Sequence, residues 1–383
     1  MRVARLTPSD GDFGSPGLVL LDDDNTPVAP VSGFLRALAA RGCSPNTVLA
    51  YAHDLSRFHA FLQQARLTVS TFTPARATDF LAHLASTPPR RRSRPVDGAA
   101  PCGDARPLAA ATRNRVLAAV SSFYEHLIVT AAFDGLVAHN PLDPGGDHRR
   151  PGAPHRPVRR AMRLRRVRRL PRPLTDDQVA AILAATSSLR DRAILLLMLQ
   201  GGLRAGEVLN LHLDDVQYGR RRVAVRCRGD HPRGARTKSR AERLVDLLEP
   251  EALAALGAYV AQERPREAGG TTHVFLAGGT GPHRAEPMSY AALAKGFRRR
   301  CERIGLTQPW ITPHALRHTH ATRLWEGGMR ELALQKRLGH ASFESTRCYT
   351  EVSDAALVAE YRNALAGRAA IAHGPAPSWA AGS

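Results

Sequence analysis

Residues 149–172 hold 11 arginines and no acidic residue, interleaved with Pro151, Pro154, Pro157 and Pro171, and Pro173 follows directly. Such a segment repels itself and has too little apolar surface to bury. It reads as an arginine-rich linker, 144–172, so the 383-residue chain must pack a separate core on each side of it. Ahead of the linker, over residues 31–143, apolar residues recur at helical spacing. Val31, Phe34, Leu35, Leu38 and Ala39 form a stripe that stops at Gly42. Ser44-Pro45 predicts a capped start for a second helix, with Val48, Tyr51, Leu55, Phe58 and Leu62 on one face. Residues 74–85 predict a third helix. A fourth, over 108–130, carries Val116, Val120, Phe123 and Leu127. The Pro/Gly/Arg segment 87–107 is too polar to pack and reads as a loop insert. Residues 1–30 carry Asp10, Asp12, Asp22, Asp23 and Asp24, with no basic residue from 10 to 24, and read as a disordered acidic lead-in.

Beyond the linker the pattern is mixed. Thr175 and Gln178 have the spacing of a capping box, and helices are expected over 175–185, 189–199 and 203–212. Residues 222–226 and 243–247 alternate like strands. The basic, glycine-containing stretch 229–241 joins them, so a β-hairpin or small sheet is expected. Further helices are expected over 249–263, 289–303, 313–326, 330–338, 343–350 and 354–365. Residues 367–383 read as a flexible tail. The fold class is therefore mainly α with a small β-sheet, α+β: a helical domain, then a mixed domain over 173–366.

Lysine plus arginine number 54 against 34 acidic residues, a formal net charge of +20. A third charged zone, 220–240, holds nine basic residues against Asp230 alone. Such an excess points to nucleic acid as partner. No basic amphipathic helix with a broad apolar face accompanies it, which disfavours a membrane surface. No apolar run reaches the roughly 18 residues of a membrane span, and residues 1–24 lack a secretory pattern. The five cysteines are scattered, odd in number and never spaced C-x-x-C, so reduced thiols in the cytoplasm are expected. Only Lys238, Lys295 and Lys336 are lysines. Each is of interest, because a lysine can give up its proton where an arginine scarcely can.

Five short patches carry chemistry. Gly202-Leu203-Arg204-Ala205-Gly206-Glu207 puts an arginine in the first turn of an expected helix, with Glu207 placed to orient it. Thr312-Pro313-His314-Ala315-Leu316-Arg317-His318 opens another helix, with His314 and Arg317 on one face; Leu316, His320 and Trp325 are assigned to other parts of the surface. A zinc reading of His314 and His318 is weak, because no glutamate adjoins the first histidine and no further ligands complete a set. Leu338-Gly339-His340 ends a helix. Tyr349 follows nine residues later, and Lys238 sits in the hairpin turn. Singly, each patch also fits surface pairing, a turn or ordinary packing.

In this order the patches closely resemble the catalytic domain of the tyrosine recombinase (phage integrase) family. Residues 44–62, SPNTVLAYAHDLSRFHAFL, resemble that family's core-binding domain. The likeness covers roughly 31–366. It implies a site-specific recombinase that needs neither metal nor ATP nor any other cofactor. Tyr349 would attack a DNA phosphate to form a 3′-phosphotyrosyl intermediate. Arg204 and Arg317 would grip the phosphate, with His314 and His340 assisting, Glu207 supporting, and Lys238 protonating the departing 5′ oxygen. Thr47, Tyr51, Arg236 and Arg240 would contact DNA. The implied partners are a double-stranded DNA recombination site, a homotetramer on two synapsed sites and accessory recombination proteins, with no membrane. A type IB topoisomerase-like enzyme and a non-catalytic DNA-binding relative remain as alternatives.

Overall fold

The computed structural model describes residues 1–6, 17–87, 107–131, 135, 137–142, 162, 164, 172–229, 231–236, 242–266 and 270–339. The chain divides into two compact units, Met1–Arg168 and Arg169–Ser383.

The first unit contains strands β1 (Arg2–Leu6) and β2 (Gly17–Leu21) and helices α1 (Ala29–Ala40), α2 (Pro45–Gln64), α3 (Pro74–Ser86) and α4 (Ala110–Val129). Its core is aromatic. Phe58 stacks edge-on with Phe72 at 5.0 Å and Phe80 at 5.3 Å, and the buried Tyr124 hydroxyl donates to the Val69 carbonyl at 2.7 Å. Burying each such ring contributes about 1.5–3 kcal/mol. α2 starts as expected: the Ser44 hydroxyl accepts the Thr47 N–H at 3.1 Å. The apolar stripes of α1, α2 and α4 face this core, except that Ala39 is exposed.

Two expectations need correction. Residues 2–6 and 17–21 are not a disordered lead-in; they pair as an antiparallel ribbon, Arg2 opposite Leu21, with Leu20 fully buried. The acidic turn Asp22–Asp24 dominates the composition there, but the short apolar run 18–21 decides the structure. The arginine run is not wholly unpackable either. Asn114 of α4 donates to the Leu164 carbonyl at 3.0 Å and accepts the Leu164 N–H at 2.9 Å, and Met162 packs on the core. These two residues are apolar interruptions in the charge. Most of segment 87–107 and the tail 367–383 lie outside the described residues.

The second unit contains α5 (Asp176–Ala184), α6 (Leu189–Leu199), α7 (Ala205–Leu209), a three-stranded antiparallel sheet of β3 (Val216–Gln217), β4 (Arg222–Val225) and β5 (Arg243–Asp246), then α8 (Pro250–Ala258), α9 (Tyr290–Arg303), α10 (Pro313–Glu326) and α11 (Glu331–Leu338). The Thr175–Gln178 capping box opens α5. α6 is apolar all round and buried from Ala193 to Leu199, so it forms the centre of this core, with α8 and α10 packed on it. α8 continues into one π-helical turn, Tyr259–Glu263. The expected helix over 203–212 is shorter: α7 spans five residues, and the Asn210 side chain donates to the Gly206 carbonyl at 2.7 Å at its end. The expected helices over 343–350 and 354–365 lie outside the described residues.

Candidate active site

The site begins where α6 turns into α7. Gly202 has a φ of +64°, and a Cβ there would lie 2.4 Å from the ring of His320, so neither backbone nor packing admits a side chain. His320 is 5% exposed, not on the surface as the spacing suggests, and Leu316 is likewise buried. The His320 Nδ1 bonds the Leu199 carbonyl at 2.8 Å, and its Nε2 accepts from Arg337 Nε at 3.1 Å. Burial, then the neighbouring arginine charge, pushes its pKa down to about 3, so the ring is a neutral strut beneath the turn.

Arg317 of α10 is 0% exposed. It donates to the carbonyl of Gly202 and, through Nη2, to that of Leu338 at 2.7 Å. A buried guanidinium needs an anion close by, and Glu207 of α7 supplies it, with Oε2 3.8 Å from Arg317 Nη1. Glu207 is equally enclosed. It accepts the Arg204 backbone N–H at 2.9 Å, Arg204 Nη1 at 2.8 Å, and both terminal nitrogens of Arg243 at 3.0 and 2.7 Å. Burial works to raise the Glu207 pKa. The Arg243 hydrogen bonds and charge, the Arg317 charge and the Arg204 N–H outweigh it and bring the pKa to about 2.

Arg204 sits just before α7 rather than in its first turn. Its side chain, 20% exposed, reaches back to the carbonyls of Leu338 at 3.3 Å and Gly339 at 3.4 Å. Two arginines 113 residues apart in sequence thus converge on one carbonyl at the end of α11. Glu207 and the carbonyls, rather than the five-residue α7 itself, hold Arg204. Gly206 has its own reason. A Cβ there would lie 2.2 Å from the Arg236 carbonyl, so the β4–β5 connector lies on this box at a point two residues before Lys238.

Of the remaining candidates, His314 is exposed one turn before Arg317, its ring 4.4 Å from that of His318. Burial and the Arg317 charge lower the His318 pKa. Arg236 is exposed. In the first unit, Thr47 is half-buried beside its cap partner Ser44, and half-buried Tyr51 stacks on Phe34 at 6.3 Å. Lys238, Arg240, His340 and Tyr349 lie outside the described residues. The sequence reading missed Arg243. The available signal was its place on the same strand face as the apolar Val245 and Leu247. Among the described residues, no group of three or more His, Cys, Asp or Glu side chains is arranged to hold a metal ion, and no helix is long and apolar enough to cross a membrane.

Residues 172–356 match the phage integrase family, and residues 31–130 match the phage integrase N-terminal SAM-like domain. The tyrosine recombinase XerD of Mycobacterium tuberculosis is 32% identical over 342 residues, covering 85% of this chain and 94% of its own. The chain belongs to the phage integrase family of tyrosine recombinases. It is accordingly a site-specific recombinase, an enzyme that breaks and rejoins DNA strands by transesterification. Transposase A from transposon Tn554 of Staphylococcus aureus is 28% identical over 371 residues, covering 95% of this chain and 98% of its own. The fold agrees with those of solved recombinases. The Tn1549 transposon integrase in complex with a circular intermediate DNA superposes with a TM-score of 0.61 at 19% identity, covering 87% of this chain and 98% of that one. A lambda integrase dimer bound to a COC′ core site gives 0.55 at 18% identity, covering 83% and 96%. The α+β architecture read from the sequence is that of this family.

Proposed function

We propose that this recombinase cleaves DNA with Tyr349 as nucleophile, activated by the cationic cluster around Glu207. A tyrosine hydroxyl has an ordinary pKa near 10 and attacks poorly at neutral pH. Cations at the phosphate favour its phenolate and offset the charge that grows in the pentacoordinate transition state. Arg204 and Arg317 provide that charge. His314 and His340 donate to the nonbridging oxygens. The observation that carries this reading is the meeting of Arg204 and Arg317 at the Leu338 carbonyl, two residues before His340.

The attack forms an O–P bond from Tyr349 to the 3′ phosphate and breaks the bond to the 5′ oxygen, which Lys238 protonates as it leaves. One phosphodiester becomes one phosphotyrosyl ester, so bond energy is kept for rejoining without a nucleotide or metal. A 5′ hydroxyl from a partner duplex then attacks the ester and releases the tyrosine. Strand exchange between two duplexes requires a nucleophile for each of four strands, which supports a homotetramer on two synapsed sites, with accessory proteins ordering the assembly. Thr47, Tyr51, Arg236 and Arg240 contact the duplex, and the cytoplasm is the compartment that fits reduced thiols and DNA.

A nicked suicide substrate tests the reading. The intact chain should form a covalent protein–DNA adduct, visible on a denaturing gel, and Tyr349→Phe should form none. An adduct that persists in Tyr349→Phe removes the nucleophile assignment.

A further inference from the structure

We infer that Arg243 is a positioning residue for DNA cleavage, locking Glu207, and through it Arg204, against the end of α11. The inference rests on the reading above and adds a residue to it. On β5, Arg243 shares its face with Val245, 1% exposed, whereas Leu244 on the other face is 55% exposed. An arginine side chain on an apolar strand face costs stability unless its charge is met. The Arg243 fork meets both Glu207 oxygens, Nη1 on Oε1 and Nη2 on Oε2, and its Nε donates to the Arg337 carbonyl at 2.9 Å. All three guanidinium nitrogens are therefore used, on two elements far from β5 in sequence. The bidentate pairing fixes orientation as well as distance.

Two consequences follow for cleavage. The first is charge. Without Arg243, the one carboxylate would be shared between Arg204 and Arg317, leaving a single positive charge in excess. With it, three guanidinium groups surround one carboxylate and two charges are in excess. A phosphodiester carries one negative charge, and attack by a phenolate adds a second at the transition state, so the extra cation acts where charge grows. The second is geometry. β5 is the strand that follows the connector holding Lys238, α7 follows Arg204, and α11 leads into His340. Arg243 ties the three together.

The test compares Arg243→Lys, which keeps the charge and loses the fork, and Arg243→Met, which loses both, with the unaltered chain and Tyr349→Phe. Single-turnover cleavage of the nicked substrate is followed at saturating DNA, and duplex binding is measured separately. Arg243→Met leaves Glu207 paired with Arg204 and Arg317, so it buries no lone charge and keeps the comparison open if Arg243→Lys folds poorly. Both variants should bind DNA within about threefold of the unaltered chain, yet cleave about 10²-fold more slowly, with the adduct reaching its full amplitude. A merely structural role would lower the amplitude, by reducing the folded fraction, and leave the rate constant alone; that result overturns the inference. Cleavage at the unaltered rate in either folded variant also overturns it, and leaves the Tyr349 reading standing. Absence of any adduct from the unaltered chain takes down both.

Discussion

Glu207 carries more of the site than any other single side chain. It is fully enclosed, and its two oxygens serve Arg204, Arg243 and Arg317. Removing one partner of a buried charge pair costs about 3–5 kcal/mol, because the remaining charges stay behind without compensation. Glu207→Gln preserves the shape and deletes the charge, so a loss of that order in chemical denaturation at pH 7 is expected. The pH dependence has a definite sign. The Glu207 pKa is lowered from 4.5 to about 2 on folding. A lowered carboxyl pKa gives stability that is present above the unfolded value and lost as the pH falls through the folded one. The unaltered chain should therefore lose about 3 kcal/mol from this group between pH 4.5 and 2, and Glu207→Gln should lack that component. Equal stability of the two proteins at pH 7 would show that the arginines find other partners.

At the scale of elements, the connector between β4 and β5 holds the least redundant group in the proposed mechanism. Lys238 is the one lysine before residue 295, and Arg236, two residues before it, lies against α7 at Gly206. General acid catalysis contributes about 10²–10⁴-fold, so Lys238→Ala should slow cleavage of an ordinary substrate by that factor. A substrate with sulfur at the 5′ bridging position has a leaving group that needs no proton, and it should be cleaved by Lys238→Ala at close to the unaltered rate. Equal slowness on both substrates would assign the acid to another residue. Elements of this kind were largely legible in the sequence. Helices α2, α9 and α10 open on local start signals, Ser44-Pro45, Ser289 and Thr312-Pro313, so their limits emerge within a few residues. The β1–β2 ribbon was hidden because five aspartates outweigh a four-residue apolar run in any local count. The short α7 was overextended because Leu211 continues its periodicity while Asn210 ends the helix. Arg204, Glu207 and Arg317 were legible as a motif. Arg243 was not, because its partner lies 36 residues earlier and only the folded sheet brings them together.

Across the whole molecule, the basic excess is of two physical kinds. Many arginines are ion-paired within the fold: Asp215 takes Arg226 and Arg228, Asp191 takes Arg190 and Arg300, and Asp54 takes Arg57 and Arg115, each carboxylate offsetting one of its two partners' charges. These pairs stabilise the units and occupy guanidinium donors that a phosphate would otherwise use. The run 149–172 has no acidic residue of its own, and apart from Met162, Leu164 and Arg172 it lies outside the described residues. A basic run with no acidic residue of its own attracts phosphate and displaces the counterions condensed on DNA. Replacing Arg149, Arg150, Arg156, Arg159 and Arg160 with glutamine should therefore reduce the slope of log affinity against log salt by about 0.9 for each arginine that meets a phosphate. The same replacement at Arg226 and Arg228 should change the slope little and lower stability instead. Backbone contacts carry no base information, so the ratio of affinities for a recombination site and a scrambled duplex should stay constant in the five-arginine variant. An unchanged slope would show that the run does not lie on DNA. A selective loss on the recombination site would show that it reads bases, and the division between internally paired and DNA-directed arginines would then have to be drawn elsewhere in the chain.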